Sequence, residues 1–364
     1  MKRMKTFLFA AAVIGFILGS SASAYYKVID LGNLGGTSSY AYSINDNGQI
    51  VGWAANSSGY ERACLFDSTG HGANVDLGTF GGTRSEAYSI NNNGQIVGFA
   101  TIIISPGYLL DRACLFDPTG HGANKDLSTL GSEDSYAWSI NNTGQIVGHS
   151  LTGNRWRACL FDPTGGGANK DLGSRYLYAL SINDSGQIVG TAANGHAYLF
   201  DSKVGSNIDL GTLANYSSST ANSINNIGQI VGVSQNIGGG PPGIACLFDS
   251  TGGGANVNLG ALGGDFSGAC SINDNSQIVG WADGRACLFD STGQGNNIDL
   301  NTLIDPSSGW TLKYAYSINN NVWIVGQGIN PAGYEHAYLL IPEPASALIM
   351  GLGGLLLTLR RRHC

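Results

Sequence analysis

Between Val28 and Leu340 the apolar residues come in bursts of four to six, separated by Gly, Asn, Asp and Ser. The bursts are rich in Ile, Val, Tyr and Phe and are bounded by turn formers, which is the pattern of short β-strands. Four kinds recur in a fixed order. The first reads Ala-Tyr-Ser-Ile at Ala41–Ile44, the second Gln-Ile-Val-Gly-Trp at Gln49–Trp53, and the third Arg-Ala-Cys-Leu-Phe at Arg62–Phe66. The fourth runs from Asn74 to Gly78. Asn45-Asp46-Asn47-Gly48 joins the first two, and Asn and Gly tolerate the positive φ that a tight hairpin turn requires. Asp67-Ser68-Thr69-Gly70-His71-Gly72 joins the third and fourth and is equally turn-rich.

The unit repeats. Ser-Ile-Asn starts at Ser43, Ser89, Ser139, Ser181, Ser223, Ser271 and Ser317, with spacings of 46, 50, 42, 42, 48 and 46 residues. Four antiparallel strands in a unit of this length make one β-propeller blade. The expected fold is all-β, a seven-bladed β-propeller of four-stranded antiparallel blades. An open β-solenoid is the competing architecture, and it calls for more uniform repeats and distinct caps. The ends favour a ring. The chain enters through Tyr26–Gly32, a fourth-type segment without its first three, and leaves through His336–Leu340, a third-type segment without a fourth. Pairing the two completes the seventh blade and ties down both ends.

Composition sharpens this picture. Of 364 residues, 55 are Gly and only 12% are charged. Gly costs roughly 1 kcal/mol per helical position, which disfavours long helices. A hydrophobic content of 43% argues against disorder. The net charge of −7 and the scarcity of Lys and Arg speak against a nucleic-acid partner. Setting aside Lys2, Arg3, Lys5, Glu343 and Arg360–Arg362 leaves a body with 12 basic and 24 acidic residues, net −12. Such a body disfavours anionic partners unless divalent cations bridge them.

Both ends have the pattern of targeting segments. A basic start, an apolar run from Phe7 to Leu18 and small residues at Ala22 and Ala24 predict a signal peptide over 1–24 with cleavage before Tyr25. The predicted propeller domain spans 25–341. The tail, 342–364, holds Pro342-Glu343-Pro344, an apolar stretch from Ala345 to Leu359, and Arg360, Arg361 and Arg362. Fifteen helical residues reach about 22 Å, short of a hydrocarbon core of about 30 Å. A weak span with a basic cap makes transient membrane contact through this tail, and a plain membrane anchor is the alternative. The order of motif, apolar run and basic cap resembles the PEP-CTERM sorting signal of Gram-negative bacteria. That resemblance implies an exosortase-type partner that reads the motif and removes the tail, with a secreted or cell-surface location.

The repeat itself resembles the HAF family of extracellular bacterial repeats over nearly all of Val28–Leu340. His196-Ala197-Tyr198 and His336-Ala337-Tyr338 come close to the family triplet. Arg62, Arg112, Arg157 and Arg285 stand in place of the His, and Ile244 does so once. The resemblance implies location and architecture rather than chemistry.

No catalytic constellation, cofactor site or metal site stands out. Cys64, Cys114, Cys159, Cys246 and Cys287 occupy one repeat position that Tyr198 and Tyr338 fill in the other copies, so buried free thiols are expected. The Asn-rich turn is a superficial match to a calcium loop but lacks regularly alternating acids. A residue present in every blade is scaffold, so the non-repeated stretches carry the functional information. These are Thr101–Asp111, Ser174–Tyr178, Gln235–Gly243 and Asp305–Trp310, expected as loops at blade ends. In them Tyr108, Tyr176, Tyr178 and Trp310 are candidates for stacking on sugar rings. Trp323, where other copies carry Gln, is expected to pack at the ring closure. The expected function is a non-enzymatic binding or structural module, and the sorting-signal resemblance implies an exopolysaccharide or biofilm-matrix setting with extracellular polysaccharide as its partner. The rival is a carbohydrate-active lyase or hydrolase on the same ring, which a single cluster of carboxylates or His with Tyr on one face would favour.

Overall fold

The computed structural model describes residues 26–131, 133–173, 176–201, 207–236 and 243–343. They form seven four-stranded antiparallel sheets arranged as a seven-bladed β-propeller. Blade 1 consists of Gly35–Ile44, Ile50–Asn56, Glu61–Phe66 and Val75–Asp76. The inner strands of blades 2 to 6 are Gly81–Ile90, Ser135–Ile140, Tyr176–Ile182, Ser218–Ile224 and Ser267–Ile272. Blade 7 is built from both chain ends. Thr311–Ile318, Ile324–Ile329 and Glu335–Pro342 are joined by Tyr26–Asp30, with Val28 opposite Leu340 and Asp30 opposite Tyr338. The solenoid alternative is thereby excluded.

Each hairpin turn has a local cause. In blade 1 the Asn45 and Gln49 backbones pair, the Gly48 amide donates to the Asn45 carbonyl at 3.1 Å, and Gly48 sits at φ 76. Glycine fills this left-handed position in the equivalent turns except where Ser276 and Val322 stand, both at φ 64. The Asn45 side chain completes the turn, its Oδ1 accepting from the Asn47 and Gln49 amides.

The Gly of each Gln-Ile-Val-Gly segment has a different reason. The inner strand is bulged between Ala41 and Ser43, and this brings the Tyr40 carbonyl against Gly52. A Cβ at Gly52, or at its equivalents Gly98, Gly148, Gly190, Gly232, Gly280 and Gly326, would collide with that backbone oxygen.

The core lies between blades rather than within them. Val51 and Ala63 of blade 1 pack with Ala87, Ile90 and Ile96 of blade 2, all buried. Each such Ile or Val contributes about 1.5–3 kcal/mol on burial. A blade alone would expose both faces of this core, so the ring is its own solvent shield. Cys64, Cys114, Cys159, Cys246 and Cys287 are buried free thiols in these layers, and burial pushes their pKa up.

Two expected loops are largely strand. Ile96–Ser105 and Tyr108–Phe116 form one long hairpin, in which Ile102 faces Leu110 and Ile103 faces Leu109. The β-branched run simply prolongs the ladder to a tip at Pro106 and Gly107. The second stretch is taken up at its end by the inner strand Tyr176–Ile182. Asp305–Trp310 remains irregular around a short 3-10 turn, Pro306–Ser308, capped by the Asp305 carboxylate.

The signal-peptide residues Ala22 and Ala24, and the tail residues Pro344, Arg360, Arg361 and Arg362, lie outside the described residues. Pro342 ends the last strand and Glu343 follows it. No helix among the described residues is long and apolar enough to cross a membrane.

Candidate functional site: an aromatic and acidic arc

The two ends of the ring differ in kind. One end, the turn face, carries the Asn-rich hairpins. There Ser-Ile-Asn builds three closed circles of inter-blade hydrogen bonds. The Asn45 Nδ2 donates to the Asn91 carbonyl at 2.9 Å, and so on through every blade until Asn319 donates to the Asn45 carbonyl at 3.0 Å. One residue later, the Asp46 amide donates to Asn92 Oδ1, and the circle closes when the Asn320 amide donates to Asp46 Oδ1, both at 2.9 Å. The Ser hydroxyls form the third circle, Ser43 Oγ accepting from the Ile90 amide and Ser317 Oγ from the Ile44 amide. These side chains border a well of about 200 Å³ on the axis. They are saturated by one another, so the well is scaffold.

The other end, the crossover face, holds the hairpins between second and third strands and the crossovers between blades. Thr101–Asp111 and Asp305–Trp310 belong to it, while residues 174–175 and 237–242 of the other two non-repeated stretches lie outside the described residues. Three repeat positions change character on the crossover face, in overlapping runs of neighbouring blades that all begin at blade 7.

The residue before the Arg or His of the third strand is acidic in three consecutive blades: Glu335 in blade 7, Glu61 in blade 1 and Asp111 in blade 2. Blade 3 has Trp156, and blades 4, 5 and 6 have Gly195, Gly243 and Gly284. Each carboxylate reaches the inner strand of the next blade. Tyr40 OH donates to Glu335 Oε2 at 2.8 Å, and Tyr136 OH donates to Asp111 Oδ2 at 2.7 Å. Between them Arg84 bonds Glu61 at 2.6 Å and Glu86 at 2.8 Å.

The inner-strand position of Tyr40 and Tyr136 is aromatic or acidic on the same side: Tyr314, Tyr40, Glu86, Tyr136 and Tyr178, against Thr220 and Gly268 elsewhere. The residue just before Ser-Ile-Asn follows suit. Tyr316, Tyr42, Tyr88 and Trp138 are neighbours at the axis, with ring centroids 5.4, 5.7 and 4.2 Å apart in turn. The remaining blades have Leu180, Asn222 and Cys270. Second-strand residues thicken the arc, Trp53 stacking on Tyr40 at 4.7 Å and His149 meeting Trp156 edge-on at 4.5 Å. Burial lowers the His149 pKa to about 3, so this imidazole is neutral.

Glu86 is the odd member. It occupies an aromatic position and is only 8% exposed. Burial, with the Glu61 charge adding, outweighs Arg84 and pushes its pKa up to about 6. On the rim of the same blades Tyr334, Tyr60 and Tyr108 are 50, 48 and 52% exposed. Ile103, Ile104 and Leu109 stand out on the long hairpin beside Tyr108.

Of the residues singled out in the sequence, Tyr108 is an exposed rim residue of this arc, and Tyr178 closes its far end, edge-on to His149 at 4.8 Å. The side chain of Tyr176 lies outside the described residues. Trp310 is half-buried, 6.2 Å from Tyr338 and packed on the blade 6–7 core. Trp323 packs in the blade 7–1 core at the closure, over Gly48. Missed in the sequence were Glu61, Glu86, Asp111 and Glu335. Their signal was a repeat position that turns acidic in adjacent copies, and it shows only when the copies are aligned in ring order.

The Arg or His of the third strand has a structural partner, the Asp of the outer strand. Arg62 meets Asp76 at 3.1 Å, Arg157 meets Asp171 at 2.9 Å, Arg285 meets Asp299 at 2.9 Å and His336 meets Asp30 at 2.8 Å. In blade 5 both charges are absent together, as Ile244 and Asn258. Among the described residues no group of His, Cys, Asp and Glu is arranged to hold a metal ion.

Residues 74–162 match the model of a family described as a protein of unknown function, DUF3466. No curated protein matches the sequence significantly. Among solved structures, the chain is similar to a gluconolactonase from Xanthomonas campestris at 10% identity and a TM-score of 0.42, covering 88% of this chain and 92% of that one. A protein of unknown function from Bacteroides thetaiotaomicron compares at 10% identity and a TM-score of 0.44, over 87% of this chain and 76% of the other.

Proposed function

We propose that this propeller is an exported, non-enzymatic module that binds extracellular polysaccharide on its crossover face. One observation carries the reading: aromatic rings crowd one arc, from blade 7 to the inner strand of blade 4, and hydrogen-bonding carboxylates join them in blades 7, 1 and 2. Flat aromatic faces suit the C–H faces of sugar rings, and carboxylates accept from their hydroxyls. The signal-peptide and sorting-tail patterns of the sequence support a location at the surface of a Gram-negative cell, with an exosortase-type enzyme as processing partner. A glycan array probed with the purified protein tests the binding, and mass spectrometry of the protein from its exporting host tests the processing. The expected results are saccharide binding that is lost on Trp53→Ala, and a mature chain that starts at Tyr25 and lacks the basic cap. An array without hits removes the binding role, and an intact C-terminus removes the sorting role.

Glu86 favours a second reading, a polysaccharide lyase or hydrolase. A buried carboxyl group titrating near 6, beside Tyr42 and Arg84, is suited to move a proton near neutral pH. Release of new chain ends from a polysaccharide, abolished by Glu86→Gln, would establish it.

A further inference from the structure

The arc is short of positive charge. Glu335 and Asp111 form no ion pair among the described residues. They are held instead by neutral phenols, Tyr40 and Tyr136, and Asp111 also by the Thr101 hydroxyl at 2.9 Å. Arg84 is divided between Glu61 and Glu86 and lies over the Phe99 ring at 5.4 Å. Asp134 adds a further acid, its side chain accepting from the Asp111 amide at 2.9 Å. The remaining cations are few. Arg62 and Arg157 bond the outer strands, Arg112 acts electrostatically on Asp134 without an ion pair among the described residues, Arg155 lies exposed on the blade 3 hairpin, and Lys313 is half-buried on the blade 7 inner strand.

A phenol donates one hydrogen bond to a carboxylate without neutralising its charge, and Arg84, whose charge reaches Asp111, is already bonded to Glu61 and Glu86. The neighbouring faces of Tyr40, Trp53 and Tyr136 are electron-rich, and such faces attract cations. Acids and aromatic faces share the arc, and the aromatic faces are a ligand-binding feature that does not depend on the acids.

Resting on the saccharide-binding reading above, we infer that the arc selects a saccharide chain bearing free amines, with Glu335 and Asp111 pairing the ammonium groups while Tyr and Trp faces take the rings. A uronate-bearing chain would meet like charge, and a fully N-acetylated chain would leave the carboxylates unpaired.

Calorimetric titration of the purified full chain at pH near 6 tests this, using oligomers of glucosamine, of N-acetylglucosamine and of galacturonate as probes. The glucosamine oligomer is expected to bind at least about tenfold more tightly than either other probe. Its affinity should fall with added salt. Glu335→Gln and Asp111→Asn together should bring the glucosamine and N-acetylglucosamine affinities to near parity, with the far-ultraviolet dichroism unchanged. Equal or tighter binding of the neutral or acidic oligomer to the unaltered chain overturns the amine selectivity and leaves the saccharide reading standing. A preference that survives the double substitution overturns the assignment to these carboxylates. Binding of none of the three here, together with an empty glycan array, removes both readings.

Discussion

Blades 7 to 3 and blades 4 to 6 share one backbone plan and differ in what stands on it. The three scaffold circles run unbroken through both halves, because Ser, Ile and Asn recur in every copy. At the crossover face the first half carries Tyr, Trp, Glu and Asp, while the second carries Gly195, Gly243, Gly284, Thr220 and Gly268 at the same positions and keeps aromatic rings at its borders, Tyr178 in blade 4 and Trp281 in blade 6. The lesson is a division of labour within the repeat. Positions that bond to the next blade's backbone are held fixed, and positions that meet only the next blade's side chains are free to change. Function is then written by substitution on a closed scaffold rather than by insertion alone.

The contrast is best broken from the scaffold side first. Gly190→Ala is expected to prevent folding or to cost more than about 4 kcal/mol, since its Cβ would strike the Tyr178 carbonyl. Expression and urea denaturation read this directly. An equal cost at Gly195, which stands on the variable face, would erase the distinction. Next, Asn45→Ala removes a buried donor to Asn91 and an acceptor for two turn amides, and should cost about 2–4 kcal/mol. Its saccharide affinity, measured on the folded fraction, should be unchanged.

Glu86 gives the third test. Its carboxyl has an ordinary pKa of 4.5 and titrates near 6 in the folded chain. Between these values the folded state binds the proton more tightly than the unfolded one, so stability falls as pH rises through that window. The loss is about 2 kcal/mol and is complete above the folded value. The charged and titratable groups facing Glu86 are Tyr42, Glu61, Arg84 and Tyr88. Stability curves of the parent and of Glu86→Gln, compared from pH 4 to pH 8, should differ by this slope, and parallel curves would contradict it. Fourth, replacing Tyr334, Tyr60 and Tyr108 together by Ala should change stability by less than about 1 kcal/mol, given their exposure, while weakening saccharide binding about tenfold. Unchanged affinity would confine the site to the inner arc. The smallest effect is expected for Val322→Gly. Val322 sits at φ 64, where other turns have glycine, but it also packs on the blade 6–7 core, so strain relief and lost packing should offset to within about 1 kcal/mol in urea denaturation.

Much of this was legible along the chain. The seven Ser-Ile-Asn copies, the strand types and the incomplete units at each end predicted the propeller and its composite closure, because strand alternation and turn chemistry are local. The hairpin role of Asn45-Asp46-Asn47-Gly48 was equally local. What Ser43 and Asn45 do beyond the turn was not, since their partners are Ile90 and Asn91 in the next blade. The stretch Thr101–Asp111 reads as a loop in the sequence because it interrupts the repeat. In fact Ile102, Ile103 and Ile104 extend the ladder. Trp310 was singled out by rarity alone, and the structure packs it on Tyr338.

The blade and the number of blades can be read along the chain, because strands and hairpins join neighbouring segments and repeats can be counted, and the incomplete units at the two ends announce the closure. That Glu335 touches Tyr40, that Glu61 and Glu86 share Arg84, and that the changed positions form one arc became visible only in the folded ring. Ring closure does this physically. It sets the first and last copies side by side, so residues almost three hundred positions apart become neighbours.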